Sequence, residues 1–256
     1  MKSFVAFTKK EWLENFRTYR IYILGIVFLL LGIMNPVIAF VTPELLGSMD
    51  LGGIVIEMPE PTALDSWAQF FGNISLIGML ALIVSYCGIM ANEISRGTLV
   101  NLLTKGMKRH VVILSKYFTA TTLWTGVYLL CLGVTYAYTA FYWSGDEFIL
   151  NQGFISFLAP WLFGVLVLAL LIFGGVLTGT FSGSLLTGGG AVVVLNLINI
   201  IPNVARFNPI TLAGGTLALL DGSLEVSDFV PAIIVCLVSI VLLLLGSIAI
   251  FNKKKI

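Results

Sequence analysis

The chain has 256 residues, 58% of them hydrophobic and only 11% charged, with a formal net charge of +1. Soluble domains carry about 25% charged residues, so most of this chain has no water to face and little is left for a soluble domain. A mean hydropathy of +1.02 points to an integral membrane protein, and no nucleic-acid partner is expected.

The first twenty residues read as an amphipathic helix lying on a membrane. Val5, Thr8, Trp12, Phe16 and Tyr19 share one face at helical spacing, and Lys10, Glu14 and Arg17 share the other, which suits the headgroup layer. Such a helix is either an interfacial anchor or a lever joining the membrane part to something cytoplasmic. Six apolar stretches follow, at about residues 21–41, 70–91, 111–141, 155–181, 184–201 and 229–251. Each has close to the roughly 20 residues needed to cross a hydrocarbon core of about 30 Å. They are continuous rather than alternating, so they are expected to be helices. The expected fold is an all-α integral membrane protein: a helix over 1–20, then a single six-helix transmembrane domain over 21–256. The run after residue 20 is too long for a signal-peptide core, so the first span is expected to stay.

Within these elements, Asn35-Pro36 is expected to kink or end the first span. The loop that follows holds Pro43, Pro59 and Pro61 with Gly47, Gly52 and Gly53 and reads as irregular. Gly175, Gly179 and Gly183 recur at intervals of four in the fourth span, a spacing that lets two helices approach closely. Phe207-Asn208-Pro209 reads as a turn, and residues 210–220 as a short re-entrant or surface helix before the last span.

Charge is sorted across these spans. Lys2, Lys9, Lys10, Arg17 and Arg20 precede the first span. Arg96, Lys105, Lys108, Arg109 and Lys116 lie between the second and third, and Lys253, Lys254 and Lys255 follow the sixth. That places thirteen of the fourteen basic residues on one side, Arg206 being the exception. Ten of the thirteen acids fall on the other side: Glu44, Asp50, Glu57, Glu60, Asp65, Asp146, Glu147, Asp221, Glu225 and Asp228. Lys and Arg near span ends are retained on the cytoplasmic side. Both termini are therefore expected in the cytoplasm of a multi-pass plasma-membrane protein.

Several chemistries are missing. No GxxxxGK[ST] segment is present, so no P-loop binds ATP here. Cys87, Cys131 and Cys236 all fall within spans without metal-like spacing and read as packing residues. His110, the one histidine, sits in the basic loop and makes no metal site by itself. No catalytic or metal-ligating group is expected, and the chain is not expected to be an enzyme. The span interiors offer neutral polar groups, among them Asn73, Ser75, Ser85, Thr121, Thr122, Thr125, Asn196 and Asn199, which are expected to hydrogen-bond between helices. An ion-coupled carrier usually places an ionisable group inside its spans, so energy for uphill transport is expected from a separate subunit.

The loop between the second and third spans reads Ala91-Asn92-Glu93-Ile94-Ser95-Arg96-Gly97-Thr98-Leu99-Val100-Asn101-Leu102-Leu103, then a basic turn to Arg109 and Lys116. Leu99, Leu102 and Leu103 form an apolar helical face able to fit a groove on a soluble partner; the alternative is a charged loop that only fixes topology. Glu93, Gly97-Thr98-Leu99, Leu102-Leu103, Arg109 and Lys116 resemble the permease subunits of type 2 ATP-binding-cassette transporters. Lys10-Glu11 followed by Arg17, Asn208-Pro209 after the fifth span, and a basic tail after the sixth are similar to the same family. Lys105-Gly106-Met107 stands where many relatives place a proline in the turn.

The resemblance implies two permease subunits, identical or related, each seated on a separate P-loop ATPase that binds the ATP and Mg. This chain itself would bind no cofactor. Residues 96–103 would form a cytoplasmic coupling helix, with Glu93, Arg96, Gly97, Thr98, Leu99, Leu102, Leu103, Arg109 and Lys116 as the ATPase-coupling set. Residues 2–20 would form a connecting helix, with Lys10, Glu11, Trp12 and Arg17. Gly97 would permit the bend out of the second span, and Glu93 and Arg96 would make polar contacts there. The expected function is the membrane subunit of an exporter; an ion-coupled secondary carrier and a non-transporting membrane scaffold are the alternatives.

Overall fold

A computed structural model describes residues 2–48, 60–95, 97, 104, 106–143 and 153–254. Among these, every regular element is helical and six helices are long and apolar enough to cross a membrane. Helix α1 (Lys2–Arg17) turns sharply at Tyr19, whose φ of +57° is unusual for a residue with a side chain, into α2 (Arg20–Ser48). The second span is assembled from α3 (Ala63–Asn73), a π-helical turn (Ile74–Gly78), α4 (Met79–Tyr86) and α5 (Ala91–Ser95). Span three is α6 (Arg109–Tyr142), span four α7 (Gly153–Thr178) and span five α8 (Phe181–Ile198). Three short helices, α9 (Pro202–Ala205), α10 (Thr211–Gly214) and α11 (Thr216–Leu220), lead to span six, α12 (Val226–Lys253).

Helix α7 is the centre of the bundle. It packs against α6, α8, α12 and the short helices α10 and α11, and most of its length is buried, whereas α8 and α12 expose most of theirs. Close approach to α6 depends on Gly164, where a Cβ would lie 2.4 Å from the Trp124 ring. The indole of Trp124 fits there because its N–H donates to the Trp161 carbonyl at 3.0 Å. Phe28 meets that indole edge-on, and Tyr128, Phe70, Trp67 and Phe157 continue the aromatic core.

Three local expectations are revised. Pro36 neither ends nor interrupts α2, which runs on to Ser48 and so takes in Pro43 and Gly47 of the segment expected to be irregular. A proline removes the N–H that would serve the carbonyl four residues back, here that of Gly32, and the Thr135 hydroxyl of span three donates to that carbonyl at 3.2 Å. Thr135 in turn accepts from Asn35 at 3.1 Å, and Asn73 donates to Asn35 at 2.7 Å. Spans one, two and three are thus joined by a buried polar chain that replaces the lost helical bond.

The three glycines do not share one helix. Gly175 lies on α7, Gly179 takes a φ of +71° in the two-residue turn after it, and Gly183 belongs to α8. Gly175 approaches span two, where a Cβ would sit 3.1 Å from Met90 and 3.3 Å from the Ala91 nitrogen, and a Cβ on Gly179 would meet Lys254 at 3.1 Å and Ile94 of α5 at 3.4 Å.

The segment before span six is broken into short helices rather than one, and it is buried rather than on the surface, which leaves the re-entrant alternative. Ile210, Leu212, Ala213, Leu219 and Leu220 are buried, and Ser75 of the π turn donates to the Ala213 carbonyl at 2.6 Å. Asn208 holds the turn, donating to the Leu195 carbonyl at 2.7 Å and accepting from the Ile210 N–H. Of the span polar groups, Asn73 and Ser75 bridge elements, but Thr122 and Asn196 bond back to their own helix.

Candidate functional site

Helix α1 buries Phe7, Glu11 and Asn15, four residues apart and therefore on one face. This face rests on the start of α6. An acid and an amide on the face turned into the protein require partners, because an unpaired buried charge is very costly. They are supplied from far along the chain. The Lys116 ammonium lies 3.0 and 2.9 Å from the two Glu11 carboxylate oxygens and 3.0 Å from Glu93 Oε2. Lys10 reaches Glu11 at 2.9 Å and Glu14 at 2.7 Å and pairs with the other Glu93 oxygen. The Phe7 ring lies beneath both ammonium groups, 5.1 Å from that of Lys10 and 5.8 Å from that of Lys116. Asn15 donates to the Glu11 carbonyl and accepts from Arg20, whose guanidinium stands 4.9 Å from the Tyr86 ring.

The cluster is a closed box. Lys116, Glu11 and Glu93 are 0%, 2% and 7% exposed, so water does not screen them, while Lys10 and Glu14 form a half-exposed rim. Burial alone would lower the Lys10 value, but Glu11, Glu14 and Glu93 outweigh it and hold the ammonium protonated above its ordinary range. Burial opposes ionisation of Glu14 too, yet the bond from Lys10 and the charge of Lys116 depress it below the usual carboxylate range. Oxygens of Glu11, Glu14 and Glu93 lie within 4.8 Å of one another, close enough for a cation. The two ammonium groups already fill that role, so the donor set is that of an internal salt cluster.

Glu93, Lys116, Lys10 and Glu11, which the family resemblance singles out, meet in this box. Arg109 does not. It donates to the carbonyls of Phe251 and of Lys254, the latter at 2.8 Å, and stacks its guanidinium 5.3 Å from the Phe251 ring. It thereby caps the C-terminal end of α12, where a cation is favoured. Lys254 in turn donates to the Val176 carbonyl at the end of α7, at 2.8 Å. Trp12 faces away from the cluster, and Arg17 closes the last turn of α1. Gly97, just past α5, has a φ of +65°, a conformation that favours glycine. Arg96, Thr98, Leu99, Leu102 and Leu103 lie outside the described residues.

Glu14, Phe7, Asn15 and Arg20 are cluster members that the family pattern omits. One signal for the cluster is present in the sequence. Glu11, Glu14 and Glu93 are the three acids that fall among the thirteen basic residues, and all three converge on Lys10 and Lys116.

No family model matches the chain. Over 212 residues it is 20% identical to the uncharacterized transmembrane protein YxlG of Bacillus subtilis (strain 168), covering 82% of this chain and 81% of that protein. Six membrane-length helices and this similarity together describe a multi-pass membrane protein.

Proposed function

We propose that the chain is the membrane-spanning permease subunit of an ATP-binding-cassette exporter, driven by ATP hydrolysis on a separate P-loop subunit. The observation that supports this most is the buried salt cluster. The basic loop over 96–108 leaves the second span just after Glu93 and returns to the third a few residues before Lys116. Both residues are tied by ion pairs to each other and to α1. A soluble motor pressing on that loop would move the end of span two, the start of span three and the whole of α1 as one body. The left-handed Gly97 gives the loop its exit, and Arg109 links the same region to the end of span six. Energy must come from outside, since the sequence has no P-loop. The chain then lies in the plasma membrane, pairs with a second permease subunit, and keeps both termini on the basic, cytoplasmic side.

The test is a pull-down of the tagged chain, expressed from its own gene neighbourhood and solubilised in mild detergent. The expected result is a stoichiometric P-loop ATPase that is lost when Leu102 and Leu103 are both replaced by Asp. A stable chain that carries no ATPase would shift the reading to a carrier or scaffold. Among the described residues an ion-coupled carrier has one foothold, the three carboxylates at the cluster. It would have to displace two ammonium groups to use them, and it would transport in vesicles without ATP.

A further inference from the structure

Among the described residues, span two is the span that changes helical form midway. Its first part, α3, is separated from α4 and α5 by the π turn Ile74–Gly78. The Met79 N–H that closes this turn donates to the Ile74 carbonyl, five residues back, and is shared with the Leu76 carbonyl. An α-helix bonds four residues back, so the turn holds one residue more than a continuous helix needs. Such turns interrupt the regular ladder of hydrogen bonds, and helices bend at them. The surplus residue serves no packing role, since Leu76 is 74% exposed while Ile74 is buried.

The two arms that meet at this turn are held by different neighbours. Helix α3 packs on spans one and three. The Ser66 and Thr139 hydroxyls share a hydrogen bond of 2.7 Å, and Asn73, the last residue of α3, donates to Asn35 at 2.7 Å. The other arm, α4 with α5, packs chiefly on spans four and five. It ends in Glu93, paired with Lys10 and Lys116 of the salt cluster. The turn itself touches a third body. Thr119, Thr122 and Thr125 bond back to their own helix, but the Ser75 hydroxyl crosses to the Ala213 carbonyl of α10 at 2.6 Å. Helix α10 belongs to the buried segment between spans five and six, which enters the bundle from the end opposite the salt cluster.

We propose that span two is a two-armed lever with its pivot at Ile74–Gly78. The arm that carries Glu93 moves with the salt cluster, α3 stays fixed to spans one and three, and Ser75 passes the movement to α10. A rigid helix would drag α3 with it and break the bonds of Ser66 and Asn73, which find no replacement partners in a water-free interior. The π turn bends more easily, because its backbone bonds already lie out of the α register. A displacement at the basic end of the molecule thereby reaches a buried segment at the other end. The lever stands whatever pushes on the Glu93 arm, and its test uses no ATPase.

The experiment follows labelling of buried thiols by N-ethylmaleimide in the detergent-purified full chain, each cysteine read separately by peptide mass spectrometry. Cys87 follows α4 on the Glu93 arm, Cys131 lies on span three, and both are buried. Ala213→Cys adds a reporter on α10. Glu93→Gln releases the arm from its ion pairs. It is expected to speed labelling at Cys87 and at position 213 about tenfold, the size of one lost hydrogen bond to a charged group, and to leave Cys131 unchanged. In a Ser75→Ala background the Cys87 response should persist and the response at position 213 should vanish. Deletion of Leu76, which removes the surplus residue and no core side chain, should suppress the Cys87 response. Where Glu93→Gln does not purify folded, Lys10→Gln removes one tie on Glu93 from the half-exposed rim and takes its place. A rate at position 213 that ignores the release, or that responds equally without the Ser75 hydroxyl, would overturn the inference. So would an undiminished Cys87 response in the deletion, or an equal rise at Cys131, which would report loosening of the whole bundle.

Discussion

Lys116 has its ammonium within 3.0 Å of two carboxylates and no access to solvent. A buried ion pair of this kind contributes little over a well-packed apolar replacement, but removing one partner leaves charge stranded. Lys116→Met is therefore expected to destabilise the protein by about 3–5 kcal/mol, read from unfolding in detergent. Adding Glu11→Gln should restore a large part of that loss, since Lys10 and Glu93 can still pair. A single-variant loss below about 1 kcal/mol would mean the pair is solvated after all. The rim behaves differently with pH. Glu14 is depressed from 4.5, so the stability it contributes is present above that value and is lost as pH falls through its lower folded value. Lys10 is raised from 10.5, so its share is present below that value and is lost only above it. The stability difference between wild type and Glu14→Gln should be constant across neutral pH and disappear as Glu14 is protonated in acid. Much of this site is written in the sequence as three acids among thirteen basic residues. Their convergence is not, because Glu11 and Lys116 stand 105 residues apart and no local pattern links them.

At the level of elements, the periodicity of apolar residues reveals each span but not what crosses between spans. Pro36 shows the limit. Read locally it should break α2; in the bundle, Thr135 supplies the donor that the proline lacks. Thr135→Val should cost about 1 kcal/mol, in the range of interhelical hydrogen bonds in membranes. In a Pro36→Ala background the same change should cost less, because residue 36 then has an N–H for the Gly32 carbonyl. Equal costs in both backgrounds would refute the link. Glycines divide in the same way. Gly164→Ala drives a methyl into the buried Trp124 ring and should cost about 1–3 kcal/mol by overpacking. Gly189→Ala has open space around it and should be neutral or stabilising by up to about 1 kcal/mol from helix propensity. Both glycines look alike in a sequence. Only the neighbour 40 residues earlier, Trp124, distinguishes them.

For the molecule as a whole, charge sorting carries more information than any motif. In the sequence, ten acids and thirteen basic residues sort to opposite ends of the spans, and the three acids that break this pattern join the salt cluster, Glu11 and Glu93 buried and Glu14 at its half-exposed rim. The arrangement is self-consistent. An even number of spans brings α1 and the end of α12 to the same side, where Arg109 ties the last helix to the start of span three and Lys116 ties α1 to the same helix. The absolute orientation follows from the positive-inside rule and can be measured directly. Cys87, Cys131 and Cys236 are buried, so the native chain should be silent to a membrane-impermeant maleimide. Ser223→Cys, in the exposed acidic turn before span six, should label in intact cells. Ser3→Cys, exposed on α1, should label only after the membrane is opened. The reverse pattern would place α1, the salt cluster and the basic loop outside, beyond the reach of any cytoplasmic ATPase. It would dismiss the exporter reading while leaving the helical bundle as it is.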